Sequence, residues 1–291
     1  MKLLDRLRRE RCVLIWQYKA ESLIWRLLST GTHKIIGESR DLEKKSTGYF
    51  CIDDSSGKVV WENVRFEEAW WIGIEGVTED VLILHLFASP DLPVHRGIIA
   101  VDLHTGKNLW THRDLTVVRI GRDSLVASRS LMGGEELIAV DPATGGILGG
   151  VNEGSGERQG SSDADDGLRM PEPLADASAL PRGVKLVVEK HARKENGHAP
   201  AELLEFGDLM VLHYCEGVTG GTAVRNVVKV LQKESGVELY RDTMDSGASG
   251  FVPDAFLVRD GMLYYVRERT ELLAVSLGES PASMNQRKGT M

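Results

Sequence analysis

Short apolar runs rich in Val, Ile, Leu and aromatics recur along the chain, each bounded by Gly, Asp, Ser or Thr. Runs of that length and punctuation predict β-strands rather than helices. Five of them open the same pattern: an apolar run, usually an acid, a short polar bend, a Gly and a return run. Tyr49–Asp53 leads to Gly57–Trp61, Ile98–Asp102 to Gly106–Trp110, and Leu137–Asp141 to Gly145–Leu148. Val228–Gln232 leads to Gly236–Tyr240, and Leu272–Ser276 has only Leu277, Gly278 and Glu279 after it. Each copy reads as a hairpin. Asp53, Asp102 and Asp141 are placed to accept hydrogen bonds from the turns they start. Gly57, Gly106, Gly145 and Gly236 supply the positive φ. Trp61, Trp110 and Tyr240 are flat and large enough to pack between neighbouring sheets.

Two further strand-like runs precede every hairpin: Leu23–Leu28 and Lys34–Glu38, Trp70–Ile74 and Val81–Phe87, Thr116–Ile120 and Ser124–Arg129, Glu202–Phe206 and Leu209–Cys215, Ala255–Arg259 and Met262–Arg267. Two runs and a hairpin make the four antiparallel strands of one propeller blade. The last copy lacks its fourth strand and the beginning of the chain has a spare one, Val13–Tyr18. The pattern therefore predicts an all-β fold, a single closed β-propeller of five blades over 13–277, its last blade completed by the N-terminal strand. Intervals of 49, 39, 91 and 44 residues separate Asp53, Asp102, Asp141, Gln232 and Ser276, so the long one leaves room for a sixth blade. That interval holds a polar stretch over about 149–183, read as a flexible insertion because its composition cannot repay ordering, and then a strand-like run, Val184–Lys190. Residues 1–12 read as a charged leader and 278–291 as a disordered tail.

The segments AVDLHTGKNLW (Ala100–Trp110), CIDDSSGKVVW (Cys51–Trp61) and AVDPATGG (Ala139–Gly146) resemble the propeller repeats of the pyrroloquinoline-quinone-like superfamily, a WD-type architecture. The resemblance implies the propeller fold. The quinone-dependent enzymes of that superfamily carry adjacent cysteines, and no such pair occurs here. The chain is more similar to uncharacterised bacterial propellers that share only the repeat.

Charge and composition narrow the partners. A formal net charge of −8 disfavours nucleic acid and acidic membranes. No apolar run is long enough to span a bilayer, and three scattered cysteines give no disulfide framework. A cytoplasmic, monomeric protein is the expectation. The acidic stretch Asp163–Gly167 misses the EF-hand pattern, with Gly167 at position 5 and Leu174 at position 12. Nucleophile-elbow, dinucleotide and P-loop patterns also fail, so no catalytic residue and no cofactor is assigned. His85 and His213 fall at corresponding depth in the second strand of their blades and are the candidate metal ligands, with satisfied core histidines as the plainer reading. These observations predict a non-catalytic scaffold that binds a protein partner. A hydrolase or lyase centred on the channel, and a metal or small-molecule sensor, are the alternatives.

Overall fold

The computed structural model describes residues 12–89, 92–151, 167–191, 200–217 and 223–278. Apart from Cys12 and Gly278, the leader and the tail lie outside them, as does much of the polar insertion (152–166). The chain divides into two compact units, Glu21–Ala164 and Met1–Ala20 with Asp165–Met291. Among the described residues no helix is long and apolar enough to cross a membrane. Strands are numbered in chain order from β1 (Val13–Lys19).

Among the described residues, the Glu21–Ala164 unit forms three four-stranded antiparallel meanders. The first is β2 (Leu23–Ser29), β3 (Lys34–Asp41), β4 (Ser46–Asp53) and β5 (Val59–Val64). The second is β6 (Ile72–Val77), β7 (Val81–Ser89), β8 (Leu92–Asp102) and β9 (Asn108–His112). The third is β10 (Leu115–Ile120), β11 (Leu125–Leu131), β12 (Gly134–Val140) and β13 (Ile147–Gly150). The middle strands of the first sheet are buried nearly throughout, and the second sheet, at the centre of the unit, is packed on both faces. Ile36, Tyr49 and Cys51 of the first sheet pack with Ile72, Leu82 and Val101 of the second. Val81, Ile83 and Ala100 on the other face of the second sheet pack with Leu125, Ala127 and Ile138 of the third.

The hairpins repeat one geometry. Gly57, Gly106 and Gly145 have φ of 70°, 70° and 73°, and their N–H groups donate to the carbonyls of Asp53, Asp102 and Asp141 at 2.8–2.9 Å. Oδ1 of each Asp accepts from the turn: Ser56 N–H at 2.8 Å, Thr105 N–H at 2.7 Å and Thr144 N–H at 3.0 Å. The aromatic of one sheet then reaches the turn of the next. Trp61 Nε1 donates to the Leu103 carbonyl at 2.9 Å, and Trp110 Nε1 to the Pro142 carbonyl at 2.8 Å. Each acceptor directly follows the turn Asp. A Cβ on Gly106 would lie 2.9 Å from the Trp61 ring, and one on Gly145 would lie 2.7 Å from Trp110. Glycine is thus required there twice, by conformation and by the ring against it.

The other unit holds two five-stranded sheets. One runs β15 (Glu172–Pro173), β16 (Ala201–Phe206), β17 (Leu209–Gly217), β18 (Val224–Gln232) and β19 (Glu238–Ala248). The other runs β1, β22 (Glu271–Ser276), β21 (Met262–Arg267), β20 (Phe256–Arg259) and β14 (Leu168–Arg169). β1 pairs antiparallel with β22, Val13 opposite Ser276 and Tyr18 opposite Leu272. The two sheets share a core of Val211, Val228, Val258, Leu263 and Leu273. Tyr240 crosses between them, its hydroxyl 2.7 Å from that of Tyr265.

One expected strand is a helix. Val184–Lys190, β-branched enough to read as a strand, lies within α1 (Arg182–His191). Pro181 precedes it and accepts from Lys185 N–H at 2.9 Å, and Val184 and Val188, one helical turn apart, are buried against Met210, Leu212, Tyr214 and Leu231. Packing against the sheet decides over propensity. Gly183, in the first turn of α1, lies against the backbone of Gly236, where a Cβ on either residue would be 2.5 Å from the other's backbone. The helix start thus covers Gly236 as the Trp rings cover Gly106 and Gly145. The parts of the polar insertion that are described contribute β14, β15 and a 3-10 turn at Ala177–Ala179.

Replacing Gly106 with Ala is expected to destabilise the protein by about 2 kcal/mol or more, combining left-handed strain with the Trp61 contact. An unchanged urea midpoint would contradict this account of the turn. The hydroxyls of Ser56 and Ser55 hold the Asp53 carboxyl below its ordinary value of 3.8. A depressed folded value gives stability that is present above pH 3.8 and lost as pH falls through the folded value. Asp53→Asn should therefore be less stable than the parent at neutral pH, by about 1 kcal/mol. The difference should close in acid below pH 3.8, as read from urea unfolding across pH.

Candidate metal centre

The two histidines read from the sequence both lie in second strands, His85 on β7 and His213 on β17. Their surroundings differ. His213 is fully buried and both ring nitrogens have neighbours: Nδ1 lies 3.3 Å from Glu202 Oε2, and Nε2 lies 3.0 Å from Asn226 Oδ1. Phe251 stacks on the ring at 4.7 Å. Asn226 is held in turn by Cys215 Sγ at 3.3 Å and by its own Nδ2 donating to the Gly250 carbonyl at 3.1 Å. Burial pushes the Glu202 carboxyl up, but the bonds from His213 and from the N–H of Asp254 outweigh it and leave the group below the ordinary carboxylate range. This network is closed on itself. It fixes β16, β17 and β18 to one another, and it offers no nitrogen to an ion.

His85 is also buried, but its contacts are different. Nδ1 lies 2.8 Å from Glu75 Oε2, out of line for a good hydrogen bond. His95 Nδ1 approaches the same oxygen at 3.0 Å. The two imidazoles stack with centroids 3.5 Å apart and planes 6° from parallel, and Phe87 meets both rings edge-on. One donor atom from each of Glu75, His85 and His95 lies within 4.8 Å of the others. The bent contact with His85 is close enough to hold Glu75 below the ordinary carboxylate range, against the opposing effect of its burial. Glu75 and His95 were not picked out from the sequence.

Local structure explains the convergence. The β6–β7 register shifts between Ile74 and Gly76, which leaves Glu75 on a bulge. A bulge re-aims a side chain. Its backbone is held from the first sheet: Ile74 N–H donates to Glu38 Oε2 at 3.0 Å, and Arg26 Nη1 donates to the Ile74 carbonyl at 2.5 Å. Glu38, buried, is itself gripped by Arg40 Nε at 2.7 Å. Opposite His85 stands Gly73, where a Cβ would lie 3.0 Å from the ring. A second shift between His85 and Phe87 brings His95 of β8 beside His85. A spacing signal was present: Glu75, His85 and His95 lie at intervals of ten on three successive strands of one meander.

The turn residues Asp53, Asp102, Asp141, Gly57, Gly106 and Gly145 lie in separate hairpins, in the structural geometry given above. In the fourth hairpin Gln232 stands where the others have Asp, and Ser235 Oγ donates to its Oε1 at 2.9 Å.

A family model described as a domain of unknown function, DUF4905, matches residues 28–110, a stretch containing Glu75, His85, His95, Trp61 and Trp110. No curated protein matches the chain. Among solved structures it is similar to the uncharacterized protein lmo1340 of Listeria monocytogenes EGD-e, at 7% identity over 90% of this chain and 85% of that one, TM-score 0.34. It is similar also to TolB from Acinetobacter baumannii, at 13% identity over 87% and 66%, TM-score 0.28. A third is the β-propeller domain of the trilobed protease from Pyrococcus furiosus, at 10% identity over 85% and 64%, TM-score 0.29.

Removing one member of the closed network should be costly. His213→Ala leaves the Glu202 carboxylate buried without its partner and is expected to cost about 3–5 kcal/mol in urea unfolding. Removing Glu202 as well should recover part of that loss. Additive single-mutant effects would show that the two residues do not act as a pair.

Proposed function

We propose that the five sheets are the blades of one β-propeller and that the chain is a non-catalytic scaffold binding a protein partner. The contact surface in this reading is the end of the Glu21–Ala164 sheets opposite the Asp–Gly hairpins. The propeller reading is supported by the repeated meander, by the aromatic bridges from one sheet to the next within each unit, and by the pairing of β1 with β22.

The observation that carries the binding reading is a cluster of aromatic rings, exposed at Trp25 and Trp71, around a largely covered Arg40. The Arg40 guanidinium lies 5.4 Å from the Trp25 ring centre and 5.0 Å from that of Trp70. It is fixed by Glu38 and by donation to the Ile72 carbonyl at 2.9 Å. Trp25 nevertheless keeps 55% of its surface exposed, and Trp71, edge-on to Phe87 at 6.0 Å, keeps 37%. Trp and Arg are enriched in binding hot spots, and an indole covers a large area with only two rotatable bonds. A pair already held in place loses little further entropy on association.

The test is affinity capture from an extract of the source organism with the intact chain and with Trp25→Ala/Trp71→Ala. The intact chain should retain a partner that the double variant loses, each Trp contributing about 2 kcal/mol or more, while the two proteins melt at the same temperature. An identical set of captured proteins would sink the reading.

A further inference from the structure

We propose that Glu75, His85 and His95 form a binding site for a divalent first-row transition-metal ion of the zinc class. Two imidazole nitrogens and one carboxylate oxygen make a mixed donor set suited to such ions, whereas calcium and magnesium prefer oxygen alone. Three protein ligands would leave at least one coordination position for solvent or a further ligand.

Several features point to an ion rather than to packing alone. The 2.8 Å approach of His85 Nδ1 to Glu75 is close for a contact that is poorly aligned for hydrogen bonding. A contact of that kind resembles an edge between two ligands of one ion. His85 is 7% exposed, so its nitrogen has no recourse to bulk water. Its counterpart in the other unit, His213, has both nitrogens engaged by neighbours. The first sheet spends two charged side chains, Arg26 and Glu38, on the backbone of Ile74 beside Glu75. That support fixes the carboxylate-bearing bulge in advance, as the groups that hydrogen-bond behind metal ligands do.

The geometry also states what loading requires. Two planes 6° from parallel with centroids 3.5 Å apart have no nearby point in common. An ion taking the in-plane lone pair of both rings must therefore turn one of them. His95 is the one able to turn, its side chain being 37% exposed against 9% for His85.

The experiment is calorimetric titration of the untagged, chelator-treated full chain with Zn²⁺, on the parent, Glu75→Gln, His95→Ala and, as a control, His104→Ala. His104 is an exposed hairpin residue outside the cluster. One ion per chain is expected, with affinity reduced more than about tenfold in Glu75→Gln and in His95→Ala, and unchanged in His104→Ala. Zn²⁺ should raise the melting temperature of the parent and not of His95→Ala, a comparison that also reports whether the variant is folded. Absence of saturable binding to the parent, or parent-like binding by either cluster variant, overturns the proposal.

Discussion

The structure depends on one repeated arrangement: a glycine in left-handed conformation with an indole ring laid against it from the preceding sheet. The turn alone is local and weak. The ring makes it a joint between sheets, because the indole N–H finds its acceptor only when the Asp–Gly loop has closed and presented the carbonyl after the Asp. Trp61 on Gly106 and Trp110 on Gly145 repeat this within one unit. Turn chemistry and sheet stacking are therefore one constraint. This explains how sheets with so few aromatics are held in order by two or three of them.

The same unit uses charge to shape its candidate centre. Arg26 and Glu38 of the first sheet satisfy the backbone where the second sheet bulges, and Arg40 holds Glu38 and the carbonyl of Ile72 at the start of β6. A buried carboxylate such as Glu38 adds little net stability, because desolvation offsets its attraction to Arg40. What these side chains supply is position. The bulge that carries Glu75 is held by the neighbouring sheet, and Arg40 at the far side of the network also orders Trp25. The exposed cluster and the histidine pair thus share one support.

Much of the strand layout was legible in the sequence, since short apolar runs between turn residues have few other solutions. The pairing of Val13–Tyr18 with Leu272–Ser276 was legible too, from one hairpin lacking a strand and one strand lacking a hairpin. Val184–Lys190 was not, because its β-branched content reads as strand while Val184 and Val188 are placed by the sheet surface they cover. The candidate centre was half legible. His85 and His213 look equivalent along the chain, and what separates them is the residue facing each across neighbouring strands. Glu202 and Asn226 enclose one ring, whereas Glu75 and His95 crowd the other. Their convergence depends on two register shifts, and a bulge leaves little trace in hydrophobic periodicity.

The partnership of the first strand with the last bears on how the polypeptide emerges during synthesis. β1 leaves the ribosome before the other described strands, yet Val13 must wait for Ser276. At ordinary elongation rates that delay is on the order of 10 to 50 seconds. For that interval an apolar strand carrying Trp16 and Tyr18 has no native neighbour, while the three meanders of the Glu21–Ala164 unit can already form from contacts close in sequence. That one long-range pair can therefore form only after the strands between its two members have been synthesised.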